Sequence, residues 1–125
     1  EEVLSKSDIV TLHCPLTEDS RNLINQDRIA QMKKGAILIN AARGPIVDSK
    51  ALADALNSGY LRGAGIDVFE MEPPLPMDHP LLHSINTIVT PHIAFASDES
   101  MEIRAEIVFE NIQKWMNKEQ VNIIL

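Results

Sequence analysis

The chain has 125 residues, enough for one domain with a real core and too few for two. A hydrophobic share of 45% and a charged share of 23% are those of an ordinary globular protein, and no apolar run approaches a membrane-spanning length. The formal charge of −7, with no basic cluster beyond Lys33-Lys34, argues against nucleic acid as a direct partner, and the single Cys14 can form no internal disulfide, which fits a reducing, cytoplasmic setting.

The opening residues, EEVLSKSD, carry no initiator methionine and read as the end of a helix, so a longer protein is expected. A repeating theme then follows, a short apolar strand and a helix signal, which is the pattern of a parallel α/β sheet. The strands are expected at 8–13 (DIVTLH), 36–40 (AILIN), 63–68 (GAGIDV) and 86–90 (NTIVT), and their near-continuous apolar character suits cover on both faces. Between them, Asn25 is a good N-cap for a helix over 26–34, with Lys33 and Lys34 in its last turn and Gly35 as its stop. Asp48 caps a second helix, with Leu52 and Leu56 on one face and Gly59 beyond its end. A final helix over 97–116 carries Met101, Ala105, Val108, Ile112 and Trp115 at spacings of four and three, an amphipathic stripe expected to pack. Glu110 and Lys114 form a favourable surface pair.

The stretch FEMEPPLPMDHPLL holds four prolines and no period, and is read as a long loop of functional interest in which His79, like His83 just after it, is solvated.

In open parallel sheets the ligand crevice lies beyond the carboxyl ends of the strands. Each strand here ends in polar chemistry at that edge: Ala41-Ala42-Arg43-Gly44 after the second, Asp67 and then Glu72 after the third, Pro91-His92 after the fourth. A held guanidinium suits bidentate capture of a carboxylate, and a histidine beside a carboxylate has its charged form favoured. Arginine with a histidine–glutamate pair reads as a site for an oxo or hydroxy acid. No metal-ligand spacing stands out, and Cys14 reads as a small buried filler.

The segments HCPLTEDSRNLIN, MKKGAILINAARGPIVD, ALADAL, GAGIDVFEMEPP and TPHIAFAS, in that order, resemble the C-terminal part of the D-isomer-specific 2-hydroxyacid dehydrogenases. The resemblance implies the second half of a Rossmann-type parallel sheet of about four strands with flanking helices and a long C-terminal helix. Residues 1–96 would be the C-terminal portion of a dinucleotide-binding domain, and 97–125 a helix and tail returning toward a substrate domain. In the intact enzyme, expected to be a homodimer, hydride would pass between NAD(H) and a small D-2-hydroxy or 2-oxo acid, with a glycerate/hydroxypyruvate-like substrate favoured by EPPLPMDHPLL. It further implies that Arg43 binds the substrate carboxylate, His92 is the acid/base and Glu72 holds and charges it. Asp67 would meet the nicotinamide carboxamide, and His13, Cys14, Pro15, Ala41 and Ala94, with Arg43 and His92, would line the cofactor.

Two departures stand beside this. The family's G-x-G-x-x-G turn is absent, since the one G-x-G, Gly63 to Gly65, enters a strand; the pyrophosphate site and the ribose-reading acid are expected upstream, leaving NAD against NADP open and the 125 residues alone inactive. Phe95 stands where many members carry glycine. A different class is also open: a corepressor branch of the family keeps a similar site in a non-catalytic, NAD(H)-sensing binding module.

Overall fold

The computed structural model describes residues 2–71 and 74–123. Four strands, β1 (Ile9–Leu12), β2 (Ile37–Asn40), β3 (Gly63–Ile66) and β4 (Thr87–Val89), form one sheet in the order β1-β2-β3-β4. Every pairing is parallel, with Ile9 opposite Ile37, Ile37 opposite Gly63 and Ala64 opposite Thr87. Parallel neighbours need crossovers, which α2 (Gln26–Ala30) supplies between β1 and β2, and α3 (Ser49–Asn57) between β2 and β3. A short helix, α1 (Glu2–Lys6), leads into β1, and α4 (Asp98–Met116) follows β4. This is the parallel half-sheet of Rossmann type that the strand pattern and the resemblance led us to expect. All four strands fall within the expected runs and are shorter by one to two residues at their ends.

The core lies on one face of this sheet. Val10, Leu12, Leu38, Ala64 and Ile66 point into it and meet Ile29 and Met32 from α2 and the turn after it, and Leu52 and Leu56 from α3. Leu38, Leu52 and Leu56 have no exposed surface. Truncation there leaves a cavity that close-packed neighbours fill only in part, so Leu52→Ala is expected to cost about 2–5 kcal/mol. Urea unfolding of the intact protein checks this as a lower midpoint at unchanged slope.

The other face does not match the expectation of double cover. Ile9 is 57% exposed and Ile88 72% exposed, and Ile39 is also exposed. A run of apolar residues records that both sides of a strand are apolar; it does not record which element of the chain lies against each side.

The two helix signals differ in outcome. Asp48 caps α3 by accepting from the Ala51 N–H at 2.9 Å, and Gly59, just past the end, takes φ +71°, which favours glycine. Asn25 caps α2 as expected, accepting from Arg28 N–H at 3.1 Å, but α2 stops at Ala30. The Gln31 and Met32 N–H groups bond three residues back, to Arg28 and Ile29, tightening the chain so that Met32 drops into the core. Lys33 and Lys34 therefore do not serve a helix terminus, and Lys33 pairs with Asp8 across the sheet edge instead.

One compact unit ends at His92 and a second begins at Ile93. In the second, Ser97 and Ser100 form a reciprocal cap at the start of α4 and Lys114 pairs with Glu110 at 2.6 Å. No residue of α4 is buried, and Trp115 is 65% exposed. Helical period fixes which residues share a face but not what covers it, so the stripe expected to pack is uncovered among the described residues. None of the described helices is long and apolar enough to cross a membrane.

Candidate active site

β2 ends in Asn40, which is 1% exposed and acts on the turn that follows it. Its side-chain oxygen accepts from the Ala42 N–H at 3.1 Å and its amide donates to the Arg43 carbonyl at 3.0 Å. An asparagine bonding its own backbone in this way closes a turn without help from a neighbouring strand. Arg43 is thereby set at the rim, extended in backbone and exposed, with one guanidinium N–H donating to the Ala42 carbonyl at 2.6 Å. Pro45 stiffens the short turn Gly44–Ile46 that follows, which carries Ile46 into the core.

β3 delivers Asp67, buried at 5% exposure. Its N–H donates to the Asn40 carbonyl at 3.0 Å, while Thr90 Oγ–H donates to its Oδ1 at 2.5 Å. The Asp67 carbonyl accepts the His92 N–H at 2.9 Å, so one residue ties the ends of three strands together. His92 sits at φ +58°, a left-handed conformation that a non-glycine residue holds only where its surroundings fix it.

These ends converge. Arg43, Asp67 and His92 line one cleft of about 220 Å³, walled also by Leu16, Phe69 and Glu70. The cleft opens at the carboxyl edge of the sheet, where α/β proteins hold their ligands. It joins a cation, a buried carboxylate and an imidazole around an apolar wall, a combination able to take a small anion with a polar group at its far end.

The remaining sequence-derived positions fall elsewhere. His13 is exposed at the end of β1, with Nε2 2.9 Å from Thr11 Oγ1; Cys14 is half-buried against the core; and the Pro15 carbonyl accepts from Ser20 Oγ at 2.8 Å. None of the three lines the cleft, and neither does half-buried Ala41. Leu16, from the same loop as His13, does. Ala94 and Phe95 belong to the second unit. Glu72 lies outside the described residues.

His79 corrects the reading of the proline-rich loop as solvated at that point. It is 4% exposed, because the turn Pro80–Leu82 drives Leu81 into the core and His79 caps that turn. His83 is exposed, as expected. The sequence carried one signal for this, a capping-competent side chain directly before Pro-Leu-Leu. His79 lies 3.1 Å from Glu70 Oε1, and Ser49 Oγ–H donates to Glu70 Oε2 at 2.8 Å. Partial burial alone would raise the Glu70 carboxyl, but its own backbone amide, Ser49 and His79 outweigh that and hold it below the usual carboxylate range. Among the described residues no His, Cys, Asp and Glu cluster suits a metal ion.

Residues 1–94 match the family model for the D-isomer specific 2-hydroxyacid dehydrogenase, NAD binding domain. The chain is 49% identical over 112 residues to a glyoxylate reductase of Thermofilum pendens, covering 90% of the chain and 33% of that protein. It is 41% identical over 124 residues to a hydroxypyruvate reductase of Blautia hydrogenotrophica, covering 99% and 38%. Among solved structures, a D-lactate dehydrogenase with NAD+ from Lactobacillus jensenii superposes with a TM-score of 0.86 at 34% identity, over 99% of this chain and 41% of that one. The chain thus spans about a third to two fifths of the length of these relatives.

Proposed function

The chain belongs to the D-isomer-specific 2-hydroxyacid dehydrogenase family, and on that premise we propose that the intact protein interconverts a small 2-oxo acid and its D-2-hydroxy acid with NAD(H). The observation that carries this is the meeting of Arg43, Asp67 and His92 in one cleft at the carboxyl edge of the sheet. The names of the relatives, glyoxylate and hydroxypyruvate reductases, favour a substrate with two or three carbons.

The donor set fits the nicotinamide end of the cofactor. Asp67, buried and oriented by Thr90, presents an acceptor suited to the N–H groups of a carboxamide. The bound dinucleotide would supply the hydride. Arg43 holds the substrate carboxylate through two parallel N–H donors, giving up its present bond to the Ala42 carbonyl, and so fixes the carbonyl carbon that is reduced. His92 gives a proton to the substrate oxygen as it becomes a hydroxyl and takes it back in the reverse direction. Glu72 is assigned as the carboxylate that favours the imidazolium. His13, Cys14, Pro15, Ala41 and Ala94 remain assigned to the cofactor's surroundings, and NADP stays an alternative to NAD.

We assign residues 1–96 to the dinucleotide-binding domain and 97–125 to a helix and tail returning toward a substrate domain. We read the intact protein as a cytoplasmic homodimer without nucleic-acid or membrane partners; the −7 charge of this chain supports the absence of nucleic acid, and its single cysteine a reducing compartment.

The test is steady-state NADH oxidation by the intact protein with glyoxylate, hydroxypyruvate and pyruvate. Saturable turnover of at least one is expected; NADH binding with no turnover of any would support a sensing module instead. Arg43→Lys keeps the charge and loses the planar fork, so we expect KM for the oxo acid to rise about 10-fold or more while KM for NADH changes little. An unchanged oxo-acid KM would remove Arg43 from the carboxylate site.

A further inference from the structure

We infer that Ser49, Glu70 and His79 form a relay that holds the Phe69–Met71 wall of the cleft against the Arg43–Gly44 turn, which makes His79 a positioning residue for the carboxylate site. The inference rests on the reading of Arg43 as the group that binds the substrate carboxylate.

The wall and the turn touch backbone to backbone. A Cβ built on Gly44 would lie 1.8 Å from the carbonyl carbon and oxygen of Phe69 and 2.4 Å from the Glu70 nitrogen, so no side chain separates them. Any movement of one is passed to the other, and Arg43 is the residue next to that contact. The turn has its own brace in Asn40. In the wall, Phe69–Met71 form no backbone–backbone hydrogen bond among the described residues, and the Glu70 amide turns back on its own carboxylate. What holds the wall is side chains. Glu70 is gripped on one oxygen by Ser49, the first residue of α3, and on the other by His79. Phe69 stands edge-on to the His79 ring, centroids 5.3 Å apart and planes at 89°.

The protonation pattern of His79 follows from its partners. The Leu81 N–H, 3.3 Å from Nδ1, can only donate, so Nδ1 is the bare nitrogen and Nε2 carries the hydrogen given to Glu70. The ring therefore joins two jobs, capping the turn that buries Leu81 and holding the carboxylate of the wall.

Those jobs can be separated by substitution. In His79→Asn the amide oxygen can stand where Nδ1 stands and keep the cap, but the side chain is too short to reach Glu70. In His79→Gln the amide nitrogen can stand where Nε2 stands and hold Glu70, but the cap is lost.

The experiment is steady-state reduction of hydroxypyruvate and glyoxylate by the intact enzyme, with thermal midpoints of each variant. His79→Asn is expected to keep a midpoint close to wild type and raise the oxo-acid KM about 10-fold or more, with KM for NADH within about twofold. His79→Gln is expected to lower the midpoint yet recover most of that KM. Glu70→Gln, whose amide can still accept from His79 and donate to Ser49, is expected to recover far more than Glu70→Ala. A purely structural role predicts that KM follows stability, and that pattern, or a wild-type KM in His79→Asn, would overturn the inference. A readout free of turnover accompanies it: the amide resonances of Gly44 and of Phe69–Met71 should shift in His79→Asn and return in His79→Gln, and their failure to shift overturns the relay. If the wild-type enzyme reduces no 2-oxo acid, the functional reading falls, and these resonances alone decide whether the relay holds the wall.

Discussion

Replacing His92 by alanine in the intact enzyme should lower kcat for 2-oxo acid reduction by about 10²- to 10⁴-fold, the usual worth of a positioned proton donor. In the proposed reaction the substrate oxygen acquires a proton as hydride arrives at its carbon, and among Arg43, Asp67 and His92 the imidazole is the group suited to give a proton and take it back. Arg43 is assigned to the substrate carboxylate, and Asp67 accepts from Thr90. KM for NADH should change little. The backbone at this position complicates a single substitution, since His92 is held at φ +58° by the Asp67 carbonyl, and alanine tolerates that region less well. His92→Asn answers the difficulty: asparagine accepts a positive φ yet supplies no acid. Both variants should therefore lose kcat alike while differing in stability. A His92→Asn enzyme with wild-type kcat would show that the side chain does no proton transfer and that the turn alone matters.

The strand ends were legible because each element announced itself locally. Asp48 before an apolar helix face, and apolar runs bounded by Gly, Asn and Pro, are signals carried within a few residues, and the sheet forms where they lie. Arg43, Asp67 and His92 could be grouped from sequence for a related reason: in a parallel sheet every strand delivers its last residue to the same edge. What failed was information that depends on distant parts of the chain. Lys33 looked like a helix terminus because Asn25 opens and Gly35 closes the span around it, but the helix stops at Ala30 and the tightened chain carries Met32 into the core. His79 looked solvated because four prolines surround it, and only the three-dimensional path of the loop brings Glu70, nine residues earlier, within 3.1 Å of its ring. Asn40, buried at the end of β2, read as part of a strand; its role in shaping the Arg43 turn appears only when both of its amide atoms find their backbone partners.

Gly44 supports the largest expected effect on the architecture of the site. Gly44→Ala should destabilise the intact protein by about 3 kcal/mol or more and raise the oxo-acid KM sharply, because the added carbon has nowhere to go. It would lie 1.8 Å from the Phe69 carbonyl, far inside any real contact, and the obstacle is backbone, which cannot swing aside as a flexible side chain does. Conformation is not the difficulty: among the described glycines only Gly35 and Gly59 have a positive φ, so alanine at 44 would be acceptable to its own backbone and objectionable only to its neighbour. Something held must then let go, either the Asn40 brace on the Arg43 turn or the Ser49 and His79 grip on Glu70. With Arg43 in its proposed role, displacement by about an ångström in a group that orients substrate is enough for a 10²-fold loss of kcat/KM, so both routes would reach the chemistry through Arg43. Gly65→Ala is the control, since its new carbon would meet only the Ile39 side chain at an ordinary 3.9 Å. Urea unfolding and steady-state kinetics on the two variants make the comparison. If Gly44→Ala unfolds and turns over like Gly65→Ala, the turn and the wall are not in contact, and the cleft is not built on that backbone junction.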